Sequence, residues 1–422
     1  MNSEYANCIP SDCRDIGWKM KNTKQTTLLG HSLIWFGAAV SIAEILTGTL
    51  FAPMGFGKAF WAIVLGHLLG CLLLYCAGVI SARNGTSAME SAKNTFGSCG
   101  GQIFAGLNVL QLVGWTAVMI SAGGQAANGI CRLFGWNCSW HILIGAMILL
   151  WLQLKFRLLE KANLVTMLLL FGLSLLLSRV VFKGAFVTPA AGGVLSFGEA
   201  LELSIAMPVS WLPIVGDYTR DASRPRLASM VSAGVYFAVS CWMYLVGLCA
   251  VLCLGEADIA VILQNAGLGV AALLIVILST VTTTYLDVFS AGISAGSILP
   301  KTSFRLLAGI VCLLGTVLAM VCDTSSFEAF LYWIGSVFVP MATIQIVDEL
   351  LLRQRHSARH NLLLWLAGFL IYRIFLQLNL PCGSTIPDIL LTASLCFAFR
   401  KKGILTDADI LVTQKDSLHE RP

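Results

Sequence analysis

Glu44, Asn108, Gln111, Trp115, Asp287 and a run of threonines lie in some of the most apolar stretches of a 422-residue chain. An ionisable or amide side chain in such a setting is costly, so it pairs inside the protein or handles a ligand. Glu44 sits in the middle of W-F-G-A-A-V-S-I-A-E-I-L-T-G-T, which begins at Trp35. A carboxylate near the centre of a membrane span costs on the order of 3 kcal/mol on insertion scales. Gly37, Ser41, Glu44 and Gly48 recur at helical spacing, which predicts one small, polar, inward face. Glu44 is then either a neutral buried carboxyl bonded to a hydroxyl, or a group that bonds substrate or carries a coupling proton.

Asn108, Gln111 and Trp115 also share one helix face. A carboxamide offers a donor and an acceptor, and an indole offers a flat apolar surface. Together they suit a planar, polar heterocycle; the plainer alternative is a packed Trp beside an interhelical amide bond. Further on, S-T-V-T-T-T-Y-L-D-V-F-S-A-G-I-S begins at Ser279. At about 100° per residue, Thr280, Thr283, Thr284, Asp287 and Ser294 fall within roughly a third of the helix circumference. Such a stripe cannot face lipid. It is either a cation site built from hydroxyl and carbonyl oxygens, with a proton-carrying Asp287 as a variant, or threonines bonded to their own helix and Asp287 paired with a neighbour.

The segment S-I-A-M-P-V-S-W-L-P-I-V-G-D-Y-T-R, from Ser204 to Arg220, should cross the membrane, yet Pro208, Pro213 and Gly216 work against an unbroken helix. Freed backbone groups are tolerated in hydrocarbon only beside protein or a water-filled cavity. Ser210 and Trp211 at the break are therefore candidate ligand contacts. Asp217 and Arg220 read as a helix-end and gate element, and Arg373 as a snorkelling or locally paired residue.

These residues belong to an integral membrane chain. It is 57% hydrophobic and 12% charged, and its mean hydropathy is +0.82. A soluble chain would carry about twice that charge. Apolar runs of roughly 18–25 residues predict twelve spans, near 28–52, 58–80, 100–124, 139–158, 162–182, 195–217, 227–254, 267–298, 304–322, 327–347, 361–379 and 384–399. With the N-terminus inside, nearly all of the 27 Lys and Arg fall in inside loops or tails. The exceptions are Lys58, Arg132, Arg179 and Lys183 outside, and Arg373 within a span. Both termini are thus predicted to be cytoplasmic, in the cell's inner membrane. Residues 1–27 and 400–422 are tails. No cleavable signal peptide is visible.

Spans one and six are unusual in the same way and run in opposite directions. Interrupted helices at matching positions of inverted halves point to a transporter site at the bilayer midplane. The expected fold is therefore all-α, with a 5+5 inverted repeat, 28–182 and 195–347, and two added helices at 361–399. The net charge of +5 does not indicate nucleic acid, because the basic residues lie where topology requires. The 14 cysteines behave mostly as small hydrophobes, although Cys131 and Cys138 share an outside loop where a disulfide is an option. The six histidines show no metal-ligand spacing.

With these motifs in place, the chain resembles the nucleobase–cation symporter family of cytosine permeases and allantoin and hydantoin transporters, over roughly residues 25–400. The resemblance rests on W-F-G-A-A-V-S-I-A-E, Q-L-V-G-W-T, S-W-L-P-I-V-G-D-Y-T-R and S-T-V-T-T-T-Y-L-D-V-F-S-A-G. Within the family, I-A-E-I-L-T-G-T-L-F-A-P-M-G-F-G-K and L-Q-L-V-G-W-T-A-V-M look like the CytX-type hydroxymethylpyrimidine subgroup. The resemblance implies a LeuT-like fold and alternating access. It places a planar nitrogen heterocycle against Trp115, with Gln111 and Ser210 as polar contacts. It also implies a sodium site between carbonyls near Ala38 and Ser41 and the hydroxyls of Ser279, Thr280 or Thr283. The family's span-eight asparagine is replaced here by Thr284, Tyr285 and Asp287, and Trp211 is shifted towards Asp217.

The expectation is therefore a secondary transporter without a cofactor, coupled to Na+ or H+, importing a pyrimidine such as hydroxymethylpyrimidine for thiamine salvage. Cytosine or another nucleobase or hydantoin is the alternative, then an amino acid on the same fold. No P-loop indicates ATP drive. A membrane enzyme would need clustered carboxylates or histidines at a membrane face, and the sequence has none. Membrane lipid and the small substrate are the expected partners, with no obligate protein partner.

Overall fold

The computed structural model describes residues 26–134, 140–154, 156–183, 195–255, 261, 269–321, 327–353 and 356–400. Most of the N-terminal tail, residues 401–422 and the Cys131–Cys138 question lie outside them.

The first span is two helices, α1 (Leu28–Ala39) and α2 (Ile42–Thr49), set at 48° to each other. The backbone leaves the helical region at Val40 and Ser41, and the Ser41 hydroxyl accepts the Glu44 amide as the N-cap of α2. The break corrects one expectation: Gly37, Ser41, Glu44 and Gly48 do not form one helical stripe. Gly37 faces Met167, while Gly48 abuts the Tyr244 backbone.

The long helices α3 (Phe56–Asn84) and α4 (Ala88–Phe134) follow. Gly97, at φ 71°, kinks α4 near its start, a conformation that glycine adopts without steric cost. Next come α5 (Trp140–Gln153) and α6 (Phe156–Val181). The fourth span is shorter than expected and α6 starts earlier than 162, because the polar stretch F-R-L-L-E-K-A-N contains no helix breaker.

Span six is α7 (Phe197–Val209) and α8 (Leu212–Thr219). A capping box between Ser196 and Glu199 starts α7, and Pro213 occupies the first turn of α8, where it is tolerated. The interruption is confined to Ser210 and Trp211, both still close to helical dihedrals. Gly216 does not break the helix. It lies within α8, and a Cβ there would collide with Ser81 and the Ala88 amide, so its role is close packing.

The remaining helices are α9 (Pro225–Leu254), α10 (Gly269–Ile298), α11 (Phe304–Val321) and α12 (Phe327–Ile346), then a π-helical turn (Val347–Leu352), α13 (Ala358–Gln377) and α14 (Thr385–Arg400). Among the described residues, eight helices are long and apolar enough to cross a membrane, or nine with the bent α1–α2 pair. The shorter apolar helices α5 and α14 and the interrupted α7–α8 pair occupy the other expected positions.

The helices pack in two groups. One joins α1, α2, α3, α7, α8 and α9; the other joins α4, α5, α10 and α11. Each group takes helices from both the N-terminal and the C-terminal part of the chain. The faces are sorted by solvent. On α3, Trp61, Leu65, Leu68 and Leu72 are exposed along one stripe, while Gly66, His67 and Gly70 face inward. Helices α2 and α9 approach closely because each supplies a glycine: a Cβ at Gly48 would strike Tyr244, and one at Gly247 would strike the Ile45 carbonyl.

Candidate functional site

The breaks in α1–α2 and α7–α8 meet at a small cavity between the two helix groups. Its walls carry Ala38, Ser41, Ala43 and Glu44 from the first span, Trp115 and Met119 from α4, Met207, Ser210, Trp211 and Ile214 from span six, and Thr283 and Asp287 from α10. Residues far apart in sequence converge here because α4 packs against α10 and also touches α2 and α8.

Trp115 is buried against the edges of Phe327 and Phe330, whose ring centroids lie 5.8 and 5.6 Å away. That clamp fixes the indole plane. Among the described residues, the Trp115 indole N–H has no hydrogen-bond partner. Asp287 lines the same space, and no hydrogen bond to its carboxyl occurs among the described residues. An unengaged carboxyl and the Trp115 ring thus border one cavity, while the indole N–H is buried in the wall.

Glu44 reaches the cavity but is engaged by protein. Tyr236 donates its hydroxyl to Oε1 at 2.7 Å, and Ser240 donates to Oε2 at 2.7 Å. Trp211 also lines the cavity and donates its indole N–H to Tyr236 at 3.0 Å. Trp35 packs edge-on against both Trp211 and Tyr236 and closes this wall.

The amides expected to touch a ligand serve the scaffold instead. Gln111 donates to the Ser210 carbonyl at 2.9 Å and to Asn108 Oδ1 at 3.0 Å, while its own Oε1 has no partner among the described residues. Asn108 donates to Ser294 at 2.8 Å and to the Pro213 carbonyl at 3.5 Å. They therefore satisfy backbone carbonyls at the span-six interruption, as a broken membrane helix requires. Ser210 lines the cavity, but its hydroxyl donates to the Met207 carbonyl at 2.6 Å.

The threonines divide. Thr283 lines the cavity. Thr280 donates to the Val276 carbonyl at 3.0 Å and Thr284 to the Thr280 carbonyl at 2.7 Å, so both hydroxyls bond their own helix. Of the expected cation set, Ala38, Ser41 and Thr283 are on the cavity wall, while Ser279 and Thr280 are not. Ser41 caps α2, so these residues read as caps and lining rather than as a gathered ligand set. Asp217 accepts the Ala88 amide at 3.2 Å, tying α8 to the start of α4, and Arg220 contacts Asp221 at 3.5 Å.

Sequence reasoning passed over His67, Tyr236 and Ser240. His67 is fully buried in α3, and its Nε2 lies 2.6 Å from Ser240. The available signal was an ionisable side chain in the middle of an apolar span, flanked by Gly66 and Gly70. A search for metal-ligand spacing does not register it.

Comparison with known proteins bears on this arrangement. A family profile described as "Permease for cytosine/purines, uracil, thiamine, allantoin" matches residues 20–364. The cytosine permease of Escherichia coli (strain K12) is 24% identical over 341 residues, covering 78% of this chain and 79% of the permease. A purine-cytosine permease of Saccharomyces cerevisiae (strain ATCC 204508 / S288c) is 27% identical over 230 residues, covering 50% of this chain and 42% of that protein. Among solved structures, Mhp1 in an inward-facing conformation superimposes with a TM-score of 0.71 at 17% identity, covering 89% of this chain and 91% of Mhp1. A Na+-coupled sialic acid symporter in a substrate-bound outward-open state gives 0.60 at 14% identity, covering 86% of this chain and 88% of the symporter. The fold is thus that of Mhp1.

Proposed function

Because the chain belongs to the family of permeases for cytosine/purines, uracil, thiamine and allantoin, we propose that it is a cation-coupled secondary transporter that imports an aminopyrimidine by alternating access. The observation that carries this reading is the pairing of Trp115 with Asp287 across one cavity. A planar heterocycle stacks on the indole, and stacking of this kind is worth about 1–3 kcal/mol per base. The carboxyl reads the ring's edge. Its carbonyl oxygen accepts an exocyclic amino N–H, and in the protonated form its O–H donates to the adjacent ring nitrogen. Thr283 remains for a ring substituent.

Hydroxymethylpyrimidine is the favoured substrate on the motifs of spans one and three; its hydroxymethyl group suits Thr283. Cytosine shares the aminopyrimidine edge and is the second reading, supported by the similarity to cytosine permease. The bound ring sits between the halves 28–182 and 195–347, in a cytoplasmic membrane with both termini inside. Asp217 and Arg220 move with the cytoplasmic end of α8 as part of a gate. Thermal unfolding of the purified protein, in Na+ and in K+ buffers, tests the substrate reading. Hydroxymethylpyrimidine and cytosine should each raise the Tm above that with uracil, hydantoin or thiamine. Stabilisation by none of the five overturns it.

A further inference from the structure

The hydrogens around His67 can be counted. Its Nδ1 lies 3.0 Å from the Ile63 carbonyl and 2.8 Å from the Ser204 hydroxyl. Ser204 donates its only hydrogen to that same carbonyl, at 2.7 Å. A carbonyl can only accept, and the Ser204 oxygen is left to accept, so Nδ1 carries a hydrogen. On the other side of the ring, Nε2 lies 2.6 Å from Ser240 Oγ, which lies 2.7 Å from Glu44 Oε2.

Ser240 has one hydroxyl hydrogen for these two short contacts. If it points to Glu44, Nε2 must bring its own hydrogen, giving an imidazolium beside a carboxylate. If it points to Nε2, Glu44 must be a carboxylic acid that donates to Ser240. Both arrangements contain one proton more than a carboxylate with a neutral imidazole. Without that proton, one of the two contacts has no hydrogen, which is unfavourable for buried polar groups. The two filled arrangements interconvert by a concerted shift. The Glu44 O–H bond breaks as its proton passes to Ser240 Oγ, and the original Ser240 proton passes to His67 Nε2. No charge enters or leaves.

We propose that Glu44, Ser240 and His67 form a hydroxyl-bridged proton site, loaded from the cavity through Glu44, and that the proton it holds is the coupling ion. This deepens the transport reading above and rests on it. Glu44 borders the cavity and His67 is fully buried behind it, so the cavity provides entry and the imidazole provides storage. Its parts come from α2, α3 and α9, and Ser204 adds α7 from the interrupted sixth span. A change in the angle of α2 against α9 therefore alters the contacts that hold the proton.

The titratable groups facing the site are Tyr236, Cys241 and Tyr244 on α9 and Cys71 on α3, with Asp287 on α10 across the cavity. The Tyr244 ring stands edge-on to His67 at 4.6 Å. Helix α7 faces it with Ser204, which does not titrate. Among the described residues, no Lys or Arg forms an ion pair with Glu44.

Full-length protein in Na+-free proteoliposomes tests this. At one proton per substrate, an inward gradient of one pH unit should support about tenfold accumulation of hydroxymethylpyrimidine or cytosine. His67→Gln and Ser240→Ala should abolish that dependence, leaving residual uptake flat with pH. Accumulation that follows a Na+ gradient and ignores the pH gradient overturns the proposal. Infrared titration of the purified protein is a second measurement that needs no substrate. A carboxyl band lost in Glu44→Gln should shift its titration midpoint in His67→Gln. An unshifted band overturns the proton site. If none of the pyrimidines is transported, the substrate reading fails and the infrared result still decides this one.

Discussion

At the scale of the residue, the carboxyls of Glu44 and Asp287 have different circumstances. Glu44 is hydrogen-bonded to two hydroxyls, whereas Asp287 faces the cavity without a described partner. Asp287→Ala should weaken pyrimidine binding by about 1.5–3 kcal/mol, the range for a hydrogen bond to an ionisable group. Asp287→Asn should recover part of it, since a carboxamide also presents an acceptor and a donor. Equilibrium binding of labelled cytosine and hydroxymethylpyrimidine measures both. Trp115→Ala should lose about 1–3 kcal/mol of stacking, and Trp115→Phe much less. Equal losses in the two variants would argue that the indole packs but does not stack. The helical spacing of Asn108, Gln111 and Trp115 was legible in sequence. That the two amides turn to the span-six carbonyls was not, because those carbonyls become acceptors only where the helix is interrupted.

At the scale of the element, helix breaks are local and largely legible. Pro208 and Pro213 act within a few residues of themselves, so the span-six interruption could be located from sequence, whereas the span-one break at Val40 and Ser41 falls inside what reads as one helical stripe. Their shape depended on packing. Span six keeps near-helical dihedrals through Ser210 and Trp211 because Gln111 satisfies the Ser210 carbonyl from α4. The close contact of α2 with α9 gives a testable consequence. Gly48→Val should lower the Tm in detergent, overpacking being worth about 1–3 kcal/mol. Gly57→Ala, at a position with nothing within 4 Å, should leave it unchanged.

At the scale of the whole molecule, the last two helices are latched to the transport core. Glu202 on α7 is buried and accepts the Ser384 amide at 2.8 Å, the Thr385 amide at 2.9 Å, the Thr385 hydroxyl at 2.5 Å and the Tyr372 hydroxyl. A carboxylate at the start of α14 also suits the positive end of that helix. Glu202→Ala leaves four donors without their acceptor, at about 1–3 kcal/mol for each one that stays buried and unpaired. It should lower the Tm and open the 378–384 turn to limited proteolysis; an unchanged protease pattern would show that α14 is held otherwise. Orientation is testable through two exposed thiols. Cys99 falls on the predicted inside and Cys382 on the predicted outside. With the other cysteines replaced by serine, a membrane-impermeant maleimide should label Cys382 in spheroplasts and Cys99 only after lysis.

The sequence by itself determined the solvent of this chain, the positions of most spans, the span-six interruption and the family. Each depends on composition or on neighbours within one or two helical turns. Only the tertiary structure decided which polar side chains meet. Glu44 finds Tyr236 and Ser240, His67 finds Ser204, and Glu202 finds the start of α14, all across more than a hundred residues. In an apolar interior, a polar group's partner is set by which helices touch and how each is rotated. That information is spread over the whole packing interface and is not written beside the residue itself.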